Sequence, residues 1–129
     1  MLRLPSLVNE LKNQSFIRRL AFAWNGIRFA YARERSVRTQ CLCALAMLLL
    51  LCVLRPATIW WALCALATGL VLGLEMLNTA LEQALDRLHP EQHESVRMAK
   101  DCAAGAVLIA SCVAGVIGLL TVLAAFGLV

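Results

Sequence analysis

Glu75, Asn78, Glu82 and Asp86 interrupt the apolar run LVLGLEMLNTALEQALD at 70–86, at spacings of three, four and four residues. A helix places all four on one narrow stripe. No residue from Ile59 to Leu74 is charged, so the stripe begins in a segment that reads as lying at bilayer depth. A carboxylate there costs a few kcal/mol, depending on depth. Such groups are kept for paired, hydrated or metal-bound sites. Glu75 and Glu82 lie two turns apart, roughly 10 Å along the helix axis. Paired acids at this separation suit a divalent cation plus a base, and hence phosphoryl transfer. They also suit a small proton-coupled transporter. A non-catalytic membrane assembly subunit is the third class to weigh.

The elements that position this stripe follow from composition. Of 129 residues, 61% are hydrophobic and only 16% charged, the wrong balance for a soluble domain of this length. Three stretches are long and apolar enough for a bilayer, which takes about 20 helical residues. They run from about Val37 to Leu54, Ile59 to Leu81 and Asp101 to Val129. The reading is an all-α, multi-pass integral membrane protein of one domain. Eight of the twelve Lys and Arg residues fall at or before the start of the first span, and Arg87, Arg97 and Lys100 fall between the second and third. The positive-inside rule then places the N-terminus and the second connection in the cytoplasm. The acidic stripe runs towards that side, where nucleotides are.

Residues 1–15 are polar without strong periodicity. From Phe16, the residues Phe16, Ile17, Leu20, Trp24, Ile27 and Tyr31 form one helical face, with Arg18, Arg19, Arg28 and Arg33 around the rest. This is an amphipathic helix over 16–33, suited to an anionic membrane surface. Glu34 and Arg38 stand four apart and can pair on a helix. Glu34 is also the one acid near the entry of the first span, amid several arginines. Gly69 and Gly73 permit close helix contact. Gly105, Gly115 and Gly118 read as packing positions. Pro90 ends the second long helix, and a new one is expected near Glu91, carrying Lys100 and Asp101 to the membrane edge. Beside that reading, Lys100 and Asp101 also fit a snorkelling lysine balanced by its neighbour.

Other chemistries are excluded or weak. No cleavable signal pattern is visible, so the first span is expected to insert uncleaved. The six cysteines fall in or at the edges of spans without a Cys-x-x-Cys pair, as small apolar packing residues do. His89 and His93 match no zinc-ligand spacing. There is no Walker phosphate loop and no dinucleotide fingerprint. The basic residues fit a membrane surface better than nucleic acid.

The run Glu75-Met-Leu-Asn78-Thr-Ala-Leu-Glu82-x-x-x-Asp86, followed by His93-Glu94 and AKDCAAGAVLIA at 99–110, resembles the bacterial diacylglycerol kinase and undecaprenol kinase family. WNGIRFAYARERSVR at 24–38 resembles that family's amphipathic helix and its Glu-x-x-x-Arg element. The resemblance covers about Phe16 to the C-terminus. It implies a magnesium- and ATP-dependent kinase of a membrane lipid alcohol in the bacterial inner membrane, assembled as a homotrimer with sites at subunit boundaries. A trimer also suits the physics, since one three-span protomer has little interior in which to hide Glu75 and Asn78. By resemblance, Glu75 is the base for the lipid hydroxyl and Asn78 organises the polar site. Glu34 and Glu82 bind the metal that carries ATP. Glu91, Gln92, His93, Lys100 and Asp101 border the nucleotide. Two positions depart from the diacylglycerol kinase pattern: Ser15 where arginine is frequent, and Ala104 where serine is frequent. Asn25-Gly26-Ile27, Glu34-Arg35 and the run Ala103-Ala104-Gly105-Ala106-Val107-Leu108 look more like the undecaprenol kinase branch, so undecaprenol is slightly favoured over diacylglycerol. Lipid selectivity is expected around Trp24, Ile27, Phe29 and Tyr31.

Overall fold

The computed structural model describes residues 15–91 and 93–129. It contains four helices: α1 (Phe16–Arg33), α2 (Arg35–Leu54), α3 (Thr58–Leu88) and α4 (Glu94–Ala125). Among the described residues there is no strand. The chain divides into two units, one ending at Arg33 and holding α1, the other starting at Glu34 and holding α2 to α4.

In α1 the apolar residues of the helical stripe are all exposed, from Phe16 and Ile17 to Trp24 and Tyr31. The Arg33 guanidinium lies 5.6 Å from the Phe29 ring centroid, a cation–π contact that keeps the charge beside an apolar face. An uncovered stripe of this kind, with arginines around the rest of the circumference, belongs at a lipid surface.

In the second unit, α2, α3 and α4 are each long and apolar enough to cross a membrane. α3 has 31 residues and α4 has 32, about 46–48 Å at the α-helical rise, against about 30 Å of hydrocarbon. Both are longer than an untilted crossing needs. Twenty residues from Thr58 reach about Leu77. A span counted in this way would leave Glu75 just inside the apolar layer, and Glu82 and Asp86 outside it.

The ends of the helices have local causes. α2 stops at Arg55, which adopts the left-handed conformation (φ 47°) and donates its N–H to Leu51 O at 2.9 Å. Pro56 follows and cannot continue the helix. α3 closes with His89 N–H on Leu85 O at 2.8 Å, immediately before Pro90. α4 begins at Glu94, three residues later than the sequence expectation, because His93 is its extended N-cap and accepts Ser95 N–H on Nδ1. It ends at Ala125, short of Val129. There Gly127 (φ 70°) donates to Ala124 O and Leu128 N–H to Leu123 O, a Schellman cap.

α3 packs most extensively on α4, less on α2, while α2 and α4 touch least. The buried side of α3 is Cys64, Ala67, Val71, Glu75 and Thr79, one residue per turn. Facing Cys64 on α4 is Thr121, which is fully buried. The Thr121 hydroxyl donates to Ile117 O at 2.7 Å. Its oxygen therefore accepts from the Cys64 thiol, 3.4 Å away. Replacing Thr121 with valine keeps the shape and removes both bonds. Interhelical polar contacts in membranes average about 0.6 kcal/mol and reach about 1.7. Thr121→Val is expected to lower stability within that range, read as a lowered unfolding midpoint in detergent.

The glycines divide differently from their sequence reading. A Cβ on Gly118 would lie 2.7 Å from Met47 Cε, so this glycine lets α2 and α4 approach. Gly105 and Gly115 have nothing within 4 Å and are not packing positions within the chain. Gly69 and Gly73 are likewise open, on an exposed α3 face with Leu66, Leu70 and Leu77.

Candidate functional site

Glu75 is 3% exposed. It continues the buried side of α3 rather than heading a stripe of equally buried polar groups. Asn78 and Glu82 sit half-buried on its flank, and Asp86 is exposed. The chain itself thus hides Glu75, contrary to the expectation that one protomer has too little interior to do so. Among the described residues, Glu75 makes no hydrogen bond and no ion pair.

Asn78 Nδ2 donates to Glu82 Oε1 at 3.3 Å, one turn along α3. That bond fixes the amide's orientation and leaves Asn78 Oδ1 buried without a partner. A buried carbonyl oxygen with no donor is costly. Together with the Glu82 carboxylate it offers hard oxygen donors of the kind magnesium takes. Among the described residues no three metal-ligating side chains cluster, so a cation here would draw its remaining ligands from phosphate oxygens and water, as magnesium usually does.

Lys100 does not pair with its neighbour Asp101. It forms an ion pair with Asp86 across the α3–α4 connection. The ammonium is thereby held over the end of α3, on the side that carries Glu82, while Asp101 is exposed. Sequence spacing missed this pair, because the partners are 14 residues apart on different helices. The legible signal was only a cation and an anion on either side of one short connection.

Around the same connection lie Glu91, His93, Glu94 and Arg97, which with Asp86 and Lys100 line an open polar cleft. His93 Nδ1 accepts the Ser95 N–H and lies 2.7 Å from Ser95 Oγ. With Nδ1 accepting, the ring proton resides on Nε2 and is free to donate outward. Glu94 and Arg97 form an exposed pair at 3.9 Å, of little energetic weight. Gln92 lies outside the described residues.

Glu34 is the half-buried N-cap of α2, with extended backbone (φ −100°, ψ 123°) and no side-chain cap bond. The expected side-chain pair with Arg38 does not form. Glu34 precedes the helix, so its side chain is not on the helical face four residues back from Arg38. What joins them is the backbone bond from Arg38 N–H to Glu34 O.

The site therefore combines an unpaired buried carboxylate, an oxygen-rich Asn–Glu pair one turn along, and a lysine anchored beside a polar cleft. Such groups could act as a proton acceptor, a cation site and a phosphate-binding charge, the components that phosphoryl transfer needs.

Residues 21–122 match the family model described as prokaryotic diacylglycerol kinase. The diacylglycerol kinase of Synechocystis sp. is 40% identical over 98 residues, which cover 75% of this chain and 56% of that one. This chain thus spans little more than half the length of that relative. The diacylglycerol kinase of Escherichia coli (strain K12) is 35% identical over 98 residues, covering 76% and 80%. The undecaprenol kinase of Bacillus subtilis is 33% identical over 112 residues, covering 87% and 89%.

Proposed function

The chain belongs to the prokaryotic diacylglycerol kinase family of lipid kinases, and from that premise we propose that it moves the γ-phosphoryl group of ATP to the hydroxyl of a lipid alcohol. The reaction takes place at the cytoplasmic surface of the bacterial inner membrane. The observation that carries this reading is the buried, unpaired Glu75 carboxylate at the edge of the apolar layer. A lipid alcohol presents its hydroxyl at that depth, and ATP approaches from the aqueous side where Lys100 stands.

Glu75 accepts the hydroxyl proton as the lipid oxygen attacks the γ-phosphorus. The bond between that phosphorus and the β–γ bridging oxygen breaks, and ADP leaves with the electron pair. Asn78 is held by Glu82 beside this reaction and orients the polar groups. Glu34 and Glu82 are the carboxylates that would hold magnesium, which would supply neutralisation of the phosphate charge. Lys100, positioned by Asp86, adds a fixed positive charge for the phosphates. His93 through Nε2–H, Glu91, Gln92 and Asp101 border the nucleotide.

Undecaprenol is the favoured substrate and diacylglycerol the alternative. Relatives with each name cover most of the chain, while Asn25-Gly26-Ile27 and Ala103-Ala104-Gly105 support the polyprenol branch. Purified protein offered both lipids in mixed micelles should prefer the polyprenol mildly and still phosphorylate diacylglycerol. A strong preference for diacylglycerol would overturn that assignment. It would mean that a polar group reads the ester carbonyls, since polar sites discriminate far better than apolar walls.

The working unit is a homotrimer. The open Gly69–Gly73 face of α3 with its exposed leucines supports this, because small residues allow helices of neighbouring copies to approach. Cross-linking of active protein in detergent should stop at the trimer. An active preparation yielding monomers alone would contradict it.

A further inference from the structure

Arg97 lines the polar cleft beside the α3–α4 connection together with Lys100 and Asp86, and among the described residues one loose contact engages its charge. We propose that Arg97 holds the β-phosphate of the nucleotide, the group on which the departing charge collects. The inference rests on the lipid kinase reading and adds a residue to its nucleotide site.

Three observations carry it. The first is availability. The partner of Arg97 is Glu94, one turn back on α4 at 3.9 Å, and the Arg97 side chain is 70% exposed. An exposed pair at that distance contributes little, so the guanidinium can turn towards a ligand at small cost. Lys100 differs, because Asp86 holds its ammonium in an ion pair. One cation of the cleft is fixed and the other is held loosely.

The second is charge. Asp86, Glu91 and Glu94 bring carboxylates to the lining, against Arg97 and Lys100. With Lys100 engaged by Asp86, a polyphosphate entering the cleft finds in Arg97 the cation whose existing contact is easiest to give up. The cleft offers about 810 Å³, within the range of roughly 300–1,000 Å³ for small-molecule sites.

The third is register. Arg97 and Lys100 are three residues apart on α4, so they are neighbours on one side of the helix, about 4.5 Å apart along its axis. From the cleft α4 runs into its apolar span, so Lys100 stands on the membrane side of Arg97. A lipid hydroxyl at Glu75 meets the γ-phosphate from that side. Lys100 is then nearer the transferred group, and Arg97 nearer the phosphates behind it.

The chemistry calls for a cation there. When the bond between the γ-phosphorus and the bridging oxygen breaks, the electron pair stays on that oxygen. The β-phosphate gains one unit of negative charge, while the hydroxyl proton goes to Glu75. A guanidinium suits this developing charge, since its planar fork donates parallel N–H bonds to phosphate oxygens.

The test is calorimetric binding of ADP and AMP to the purified protein in micelles, without lipid substrate. Arg97→Gln should weaken ADP binding about tenfold, the scale of one exposed charge-assisted hydrogen bond. AMP, which has no β-phosphate, should bind as to wild type. Arg97→Lys should recover part of the loss, because an ammonium supplies the charge without the fork. In turnover, Arg97→Gln should raise KM for ATP by a similar factor and leave KM for the lipid alcohol unchanged. Equal loss of ADP and AMP, or ADP binding within twofold of wild type, overturns the assignment. So does an Arg97→Gln protein altered only in its response to phosphatidylglycerol in the micelle, which would make the residue a contact to anionic headgroups. If ADP binding depends on Arg97 but no lipid is phosphorylated, the kinase reading fails and the β-phosphate contact stands. If lipid is phosphorylated while ADP binding ignores Arg97, the contact fails and the kinase reading stands.

Discussion

Glu75→Gln is expected to lower kcat by roughly 10²–10⁴-fold, the range for loss of a general base, while leaving a protein at least as stable as the original. The substitution keeps the shape of a side chain that is 3% exposed and removes only the charge and the proton-accepting oxygen. Among the described residues Glu75 makes no ion pair, so nothing offsets the cost of holding a carboxylate at that depth. Losing it should therefore raise the unfolding midpoint in detergent as turnover falls. Opposite signs in the two measurements mark a group kept for chemistry. Turnover within twofold of wild type, or a fall in both quantities, would show that Glu75 serves packing.

Lys100→Met should lower kcat/KM for ATP by roughly 10²–10³-fold, as removal of one fixed charge from a developing anionic transition state does. Asp86→Asn is the informative companion. It leaves the lysine in place but frees it from α3, since the Lys100–Asp86 ion pair spans the two helix ends. The asparagine variant should raise KM for ATP a few-fold and alter kcat little. Neither change should cost more than about 1 kcal/mol of stability, because the pair is solvent-exposed on the Asp86 side. If Asp86→Asn were as damaging as Lys100→Met, the aspartate would itself be touching nucleotide or metal.

The helical period made the α3 carboxylates legible, because Glu75, Asn78 and Glu82 recur along one helix. The three long helices were legible for the same reason, through apolar length alone. What the period does not contain is the relation between helices, which depends on crossing angle and axial register. Lys100 therefore read as the partner of adjacent Asp101, whereas the fold gives it Asp86. Gln40 meets Ser111 across 71 residues, and Met47 meets Gly118, with no trace of either in local spacing. Rotation was misread by a fraction of a turn: the buried line passes through Val71, Glu75 and Thr79, so Asp86 falls on the outside. Glu34 was read as a helical residue with an i,i+4 partner, but it is the cap that precedes the helix. A single helical step of offset removes such a pair.

Incubating the purified protein with magnesium, ATP labelled in its γ-phosphate and a total bacterial lipid extract in mixed micelles tests lipid phosphorylation most directly. Label should appear in a lipid monophosphate, depend on magnesium, and be lost in the Glu75→Gln protein. Absence of labelled lipid from active-assembly preparations, with proteoliposomes instead moving a solute without ATP, would contradict the lipid kinase and leave Glu75 as a proton carrier.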